Sequence, residues 1–200
     1  LIQPALEDVE SVLQVLQTKD FAGNLFLKST HDRVLKVLHQ AEYLRQKYHV
    51  VVANPPYMGA KSMNGRLSVF AKDNFPDSKS DLFAMFMERT LRMTLKLGIM
   101  AMINIPTWMF LSSYEKLRIN LLNNFHILSL LYCGRGIFGS DFGTAAFLFR
   151  KFKSEKNVSG IYRKLFDNPV KVRTPEKIEE LYLDKKYGSF EVSQIALKSI

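Results

Sequence analysis

Apolar residues in the first part of the chain recur at three- and four-residue steps. They form two series separated by Gly23-Asn24: Leu6, Val9, Val12, Leu13 and Leu16, then Val34, Leu35, Leu38, Ala41 and Leu44. Such spacing places each series on one face of a helix. The pattern predicts two amphipathic helices of about 12 to 17 residues.

The pattern changes at residue 48, where a β-branched apolar run without a helical period extends to Ala53. Asn54-Pro55-Pro56 ends this run, because two prolines permit neither a helix nor a continued strand. Residues 81–97 again show a helical period with an acidic start, and the apolar run 99–105 follows. Strand, helix and strand in this order predict a parallel crossover unit, and hence an α/β fold.

Residues 58–80 are rich in glycine, asparagine and serine, and they predict a long loop with at most one turn of helix. A further helix is predicted to begin at Ser112 or Ser113, either of which can cap it. The apolar runs 126–131 and 144–149 predict two more strands. The glycine-rich turn between them is too short for a helical crossover, so these strands are predicted to be antiparallel neighbours.

Composition limits the classes of function. Lys and Arg number 28 against 19 Asp and Glu in 200 residues, a net charge of +9 that suits a polyanionic partner and is also common in other basic proteins. The single Cys133 and four scattered histidines predict neither a disulfide nor a metal site, and they favour a cytoplasmic location. The longest apolar run is interrupted and shorter than the roughly 20 residues of a membrane span. Because the chain begins with Leu1, it is expected to be part of a longer protein.

The tetrapeptide Asn54-Pro55-Pro56-Tyr57 lies directly beyond a predicted parallel strand, where open α/β sheets place their ligands. The prolines fix the backbone, so that the Asn54 amide oxygen and the following carbonyl can each accept one N–H of a planar amino group. These contacts make the amino nitrogen more nucleophilic. Tyr57 adds a flat face on which a base can stack, worth about 1 to 3 kcal/mol. A bare Asn-Pro is more often an ordinary turn, but the full tetrapeptide after a strand favours the chemical interpretation.

The tetrapeptide resembles the catalytic motif of amino-methyltransferases that use S-adenosylmethionine, chiefly DNA adenine-N6 methyltransferases. Segments around it narrow the resemblance, namely 41–48, 54–64, 77–86 and 107–118. Together they are similar to the large adenine-specific methyltransferases of BREX phage-defence systems, the PglX type. The resemblance is close over residues 35–150 and loose over residues 1–34. The resemblance implies a Rossmann-like methyltransferase fold, of which this chain holds the second half of the sheet with a terminal antiparallel hairpin.

The resemblance also implies a role for individual residues. Asn54 and the Pro55 carbonyl accept the N6 hydrogens of the target adenine, and Tyr57 stacks on the flipped base. Phe138 matches the second aromatic of that sandwich, and Phe86 matches an aromatic near the cofactor adenine, although Phe86 also falls on the apolar stripe of its helix. Basic residues after the motif are weaker candidates for phosphate contacts, and a solvated loop is the alternative: Lys61, Arg66, Lys72 and Lys79.

Residues 1–47 lack the glycine-rich turn and acidic residue of the main S-adenosylmethionine pocket. We therefore expect a helical segment at 1–47, part of the catalytic core at 48–150, and a linker or the start of a DNA-recognition region at 151–200. Such a fragment is expected to be inactive alone and to leave an exposed sheet edge.

The expected function is site-specific transfer of a methyl group from S-adenosylmethionine to a flipped adenine in duplex DNA. Other phage-defence proteins are expected partners. Neither a membrane nor a metal ion is expected to bind. Two alternatives stay open from the residues. One is a non-catalytic DNA-binding or assembly module, and the other is a methyltransferase with the same tetrapeptide that acts on RNA adenine or protein glutamine.

Overall fold

The computed structural model describes residues 9–21, 23–139, 142–152 and 158–198, and the chain divides after Lys47 into two compact units. The first unit contains α1 (Val9–Gln17) and α2 (Leu25–Arg45), which bury Val9, Leu13 and Leu38 between them. Asn24 begins α2 by accepting the Phe26 and Leu27 N–H groups, so the predicted break is confirmed. At 21 residues, α2 is longer than its apolar pattern predicted.

The second unit is built on one sheet, whose strands within the described residues run in the order β1-β2-β4-β3-β5-β6. The strands are β1 (Tyr48–Ala53), β2 (Thr94–Asn104), β3 (His126–Arg135), β4 (Gly143–Arg150), β5 (Ser159–Lys164) and β6 (Ser189–Ser193). The helices are α3 (Gly65–Asn74), α4 (Leu82–Met93), α5 (Glu115–Asn124), α6 (Pro175–Leu183) and α7 (Gln194–Lys198). As predicted, β1 is parallel to β2, and β3 is antiparallel to β4.

The main core lies on one face of the sheet. Alternate residues of β2 and β4, such as Met100, Phe147 and Phe149, are fully buried in one cluster with side chains of α4 and α5. Trp108 follows β2 and packs edge-on against Phe147, with ring centroids 5.1 Å apart. Each of these large apolar side chains contributes about 1.5 to 3 kcal/mol through burial. This core fixes the carboxyl ends of β1 and β2 relative to each other.

Residues 58–80 differ from the predicted loop, because they contain the ten-residue helix α3. Asn64 begins it by accepting the Leu67 N–H, and Ala71 is buried near its end with Phe75 and Met85. The glycine and serine residues near the start of α3 obscured its short apolar period. The prediction of a loop with at most one turn of helix was therefore wrong.

Two helix boundaries also differ from the sequence pattern. α4 ends at Met93, since the Lys151 ammonium donates to the Leu91 and Thr94 carbonyls, and β2 begins at once. The predicted serine cap of α5 was wrong. Residues Ser112–Tyr114 form a 3-10 turn, and α5 follows it with no side-chain cap at Tyr114.

The sheet continues beyond the antiparallel pair of β3 and β4. β5 pairs in parallel with β3, and β6 pairs antiparallel with β5. The predicted boundary at residue 151 therefore does not separate compact units. At the opposite end of the strand order, β1 pairs only with β2 among the described residues.

Candidate active site

The tetrapeptide begins at the carboxyl end of β1. Pro55 is buried, Tyr57 is partly buried, and Asn54 and Pro56 are exposed. Because each proline fixes its own φ and restricts the residue before it, the Asn54 side chain is carried by a stiff backbone. The strand and the two prolines therefore hold the Asn54 amide at the carboxyl end of β1.

Asp81 ties the residue after the tetrapeptide to the first turn of α4. Its Oδ1 accepts the Met58 N–H at 3.0 Å and the Phe83 N–H at 3.2 Å. In return, the Leu82 N–H donates to the Met58 carbonyl at 3.0 Å. A carboxylate at this position satisfies a free helix N–H and complements the helix dipole. The tetrapeptide is thus docked on the amino terminus of α4.

Tyr57 lies among aromatic side chains. Its ring centroid is 6.3 Å from that of Phe83 and 5.8 Å from that of Phe142, with both rings edge-on. The Tyr57 hydroxyl oxygen is buried and has no hydrogen-bond partner within the described residues. Burial raises the pKa of Tyr57 above its usual value, so the phenol stays neutral at physiological pH.

A cavity of about 480 Å³ joins the tetrapeptide to the loop between β3 and β4. Its lining consists of Asn54, Pro55, Pro56, Tyr57, Phe138 and Phe142. Phe138 is 50% exposed and Phe142 is 46% exposed, so both rings are accessible at the cavity. The structure therefore brings together the tetrapeptide and Phe138, which lie far apart in the sequence.

Sequence reasoning missed Phe142 and the role of Asp81. Phe142 precedes Gly143 as Phe138 precedes Gly139, and an aromatic flanked by glycine in a turn was the signal that could have found it. Asp81 was visible only as an acidic helix start. Its bond to Met58 depends on how α4 returns beside β1, which no local pattern encodes.

The remaining predicted residues do not line this cavity. Phe86 lies on α4 between the buried Phe83 and Met87 but is itself 37% exposed, so it is not a core residue. Its contact with a cofactor stays a prediction. The four basic candidates are all exposed: Lys61 in a 3-10 turn, Arg66 and Lys72 on α3, and Lys79 before α4.

Two further predictions concern absent features. Within the described residues, no helix is long and apolar enough to cross a membrane. Across that same part of the chain, no group of three or more His, Cys, Asp or Glu side chains is arranged to hold a metal ion.

The fold is shared with restriction-modification enzymes. A solved structure of the Type ISP restriction-modification enzyme LlaGI, in complex with a DNA substrate mimic, superimposes with a TM-score of 0.58 at 17% identity. The alignment covers 91% of this chain and 17% of that one. With the parallel β1–β2 pair and the tetrapeptide at its carboxyl end, this is an α/β, Rossmann-like fold, shared with that restriction-modification enzyme.

The family described as Eco57I restriction-modification methylase matches residues 7–138, and the chain belongs to that family. It is 41% identical over 173 residues to the adenine-specific methyltransferase BrxX of Escherichia coli O9:H4 (strain HS), covering 83% of this chain. It is 40% identical over 128 residues to the adenine-specific methyltransferase PglX of Lacticaseibacillus casei (strain Zhang), covering 62%. The predicted resemblance to the PglX type is confirmed, and the chain spans 14% and 10% of the lengths of these two relatives.

Proposed function

We propose that this chain forms the part of a site-specific DNA adenine-N6 methyltransferase that holds the flipped target adenine, in DNA modification and phage defence. The observation that carries the proposal is that the whole tetrapeptide and Phe138 line the same cavity. A carbonyl-type acceptor pair beside accessible aromatic rings suits a planar base that carries an amino group. The similarity to adenine-specific methyltransferases supports adenine as that base.

In this proposal, the Asn54 Oδ1 and the Pro55 carbonyl each accept one N6 hydrogen of the adenine. Both acceptors pull the hydrogens towards themselves, which keeps electron density on the nitrogen for in-line attack. The same two oxygens stabilise the positive charge that develops on N6 during transfer. Because the acceptors are held by the rigid proline backbone, they need no reorganisation when the base arrives.

Tyr57 and Phe138 hold the ring of the flipped base. Extrusion of a base from the duplex costs a few kcal/mol, and stacking of about 1 to 3 kcal/mol on aromatic side chains offsets it. The neutral Tyr57 phenol suits this role, because an ionised ring would repel the polyanion. Phe142 supports Tyr57 from its edge.

The family and fold imply S-adenosylmethionine, which supplies an electrophilic methyl group when bound. The described residues fit part of it, since the exposed face of Phe86 offers an apolar surface for the cofactor's adenine ring. Asp81 does not serve as the acidic cofactor ligand in this proposal, because its Oδ1 already accepts the Met58 N–H. We therefore infer that Phe86 contacts the cofactor, and that the main S-adenosylmethionine pocket is built by parts of the protein outside this chain.

Duplex DNA is the proposed partner. The net charge of +9 suits a polyanion, and the exposed Lys61, Arg66, Lys72 and Lys79 follow the tetrapeptide along the chain. These side chains are proposed to contact phosphates and to contribute affinity rather than base specificity. Association with other phage-defence proteins is part of the same proposal.

The test compares the natural protein with its Asn54→Ala variant. Labelled methyl from S-adenosylmethionine is followed into duplex DNA, and the DNA is digested to nucleosides. We expect N6-methyladenine with the natural protein and a rate about 10²- to 10³-fold lower with Asn54→Ala, because one acceptor at the reacting atom is lost. Asn120→Ala is the matched control, since Asn120 is an exposed amide on α5 outside the cavity.

Parallel reactions with RNA and with protein substrates distinguish the alternatives. Transfer to RNA adenine or to a glutamine amide, without transfer to DNA, overturns the proposed substrate. Binding of DNA and cofactor without transfer to any of the three substrates overturns the proposed enzyme and favours a non-catalytic assembly module.

A further inference from the structure

The described part of the loop that carries Phe138, residues 134–139, contains three glycines with positive φ. It leaves β3 through Gly134 and Gly136 and turns again at Gly139, and these three glycines have φ of 74°, 114° and 67°. The Gly139 N–H donates to the Gly136 carbonyl at 3.0 Å, which closes a tight turn around Phe138. Because glycine visits many conformations at similar energy, this loop needs an external contact to hold its aromatic rings in one place.

Residues Val172 and Arg173, which lie beyond β5, supply a backbone contact to the base of the loop. Val172 forms an isolated parallel bridge with Arg135, and the Arg173 N–H donates to the Arg135 carbonyl at 3.1 Å. A methyl group placed on Gly136 would lie 1.8 Å from the Arg173 carbonyl oxygen. The two backbones therefore touch at Gly136, and only glycine permits the approach.

The Arg173 side chain makes a second contact at Gly134. A Cβ at Gly134 would lie 2.2 Å from the Arg173 Nη2, so the guanidinium is packed directly on this glycine. On its other side, the guanidinium carbon lies 5.4 Å from the ring centroid of the buried Phe166. Phe166 in turn packs edge-on against Tyr132 of β3 at 4.7 Å. The guanidinium is thus held between β3 and the segment that follows β5.

The hydrogen-bonding groups of Arg173 are largely unused. Its Nε and Nη2 are buried without a hydrogen-bond partner in the described residues, and its Nη1 donates to the Asn168 carbonyl only at 3.4 Å. Burying N–H groups in this way is unfavourable unless packing compensates for it. A planar cation stacked on an aromatic ring provides that packing. Arg173 therefore acts by its shape and its stacking more than by hydrogen bonds.

We propose that Arg173 is a positioning residue for methyl transfer, which fixes the loop between β3 and β4 so that Phe138 and Phe142 face Tyr57 across the cavity. The proposal rests on the proposed function, because it assigns the loop to the flipped base. It also gives residues 165–173 a role in the site, although they lie outside the 7–138 match to the methylase family.

Two pairs of variants of the natural protein test this inference. Arg173→Ala removes the stacked guanidinium, and Lys171→Ala removes a charge from an exposed neighbour without a cavity contact. Gly136→Ala forces the Arg173 backbone away. Gly139→Ala, at a φ of 67° against 114° for Gly136, meets nothing within 4 Å, so it controls for loss of a glycine in this loop without a clash.

The readouts are kcat, the KM for S-adenosylmethionine, thermal stability, and the fluorescence of 2-aminopurine placed at the target adenine, which rises when the base leaves the stack. The target sequence is first read from N6-methyladenine in DNA treated with the natural protein. We expect kcat to fall about 100-fold in Arg173→Ala and Gly136→Ala, as for a small misplacement of a reacting group. The 2-aminopurine signal should fall with it, while the KM for the cofactor stays unchanged.

Lys171→Ala and Gly139→Ala should keep most of the activity. The inference is overturned if Arg173→Ala has the kcat and 2-aminopurine signal of the natural protein. It is equally overturned if Gly136→Ala and Gly139→Ala have the same kcat and the same 2-aminopurine signal. A variant that loses activity only above its unfolding temperature overturns it as well. The proposed function itself fails separately, when the natural protein transfers no methyl group to DNA.

Discussion

The cavity has two walls that are built in opposite ways. The tetrapeptide wall follows a strand, is stiffened by Pro55 and Pro56, and is tied to α4 by Asp81. The aromatic loop wall is flanked by left-handed glycines and is contacted from outside by the segment at Arg173. The tetrapeptide wall is therefore stiffened by its own proline backbone in addition to a contact with α4, whereas the loop wall depends on contacts with a distant segment.

This difference matches what each wall is proposed to do. Acceptors of the N6 hydrogens must sit within a few tenths of an ångström of a reacting atom, and a proline backbone provides such placement without induced change. A stacking ring tolerates more displacement, and it must admit a base that arrives from the duplex. Under the proposal, the contact from Arg173 holds Phe138 in place for stacking.

After Asn54→Ala, the largest effect on catalysis is expected at Tyr57, a tetrapeptide residue whose ring also contacts Phe142 of the loop wall. Tyr57→Ala should raise the barrier to methyl transfer by about 1 to 3 kcal/mol, because it removes one stacking face. Tyr57→Phe should keep the activity of the natural protein, since the hydroxyl has no partner within the described residues. Steady-state kcat/KM for DNA measures both variants.

Comparing Tyr57→Ala with Tyr57→Phe also separates the contribution of the aromatic ring from that of the hydroxyl group. Removing a buried hydroxyl that makes no hydrogen bond should leave stability unchanged or slightly higher. If Tyr57→Phe loses as much activity as Tyr57→Ala, the hydroxyl contacts the substrate and the stacking interpretation is wrong.

A smaller effect is expected on the tetrapeptide wall at Asp81. Asp81→Ala should destabilise the protein by about 1 to 2 kcal/mol, because two backbone N–H groups lose their acceptor. Asp81→Asn retains an acceptor oxygen and should lose less. Chemical denaturation measures the change, and Asp73→Ala, on the exposed face of α3, is the control.

The rate of methyl transfer tests whether the contact between Met58 and Asp81 holds the tetrapeptide against α4. Loss of the Met58 contact should lower kcat in Asp81→Ala beyond any effect of unfolding, because the tetrapeptide is released from α4. Equal stability and equal kcat in Asp81→Ala and Asp73→Ala would show that the prolines alone hold this wall.

The two walls also differ in how far the sequence predicts them. The β1 strand, the tetrapeptide and the following parallel strand are local patterns, and the structure confirms their order and pairing. The antiparallel β3–β4 pair followed from the shortness of its connection. Phe138 was identified by resemblance, and its roles in substrate binding and stacking stay predictions.

What the sequence did not predict are contacts between distant segments. The placement of β5 beside β3 depends on pairing across the sheet, which no periodicity in residues 151–200 encodes. Arg173 shows no signal of its own among many basic residues. Helix α3 was missed because its two ends carry turn-forming residues, although Asn64 is a regular cap.

The effect that is smallest at neutral pH concerns Cys133, one residue before Gly134 at the start of the loop between β3 and β4. Cys133 is buried with Leu165 and Ile178, and burial raises the pKa of its thiol to about 11. A thiol whose pKa is higher in the folded state than in the unfolded state stabilises the fold below the unfolded pKa, and this contribution disappears as the pH rises through the folded pKa. We therefore expect the free energy of unfolding to fall between pH 9 and 11, by up to about 3 kcal/mol from this group.

Cys133→Ala should show a shallower fall over that range, since it has no thiol to ionise. Tyr114 and Tyr162 ionise higher in both proteins, because burial raises the pKa of each to about 12. At neutral pH the thiol is neutral, so the variant should retain its methyl transfer activity and the native protein should resist alkylation until it unfolds. Rapid alkylation of native Cys133 at pH 7 would mean that the foot of the loop opens, and the loop wall would then be mobile down to β3.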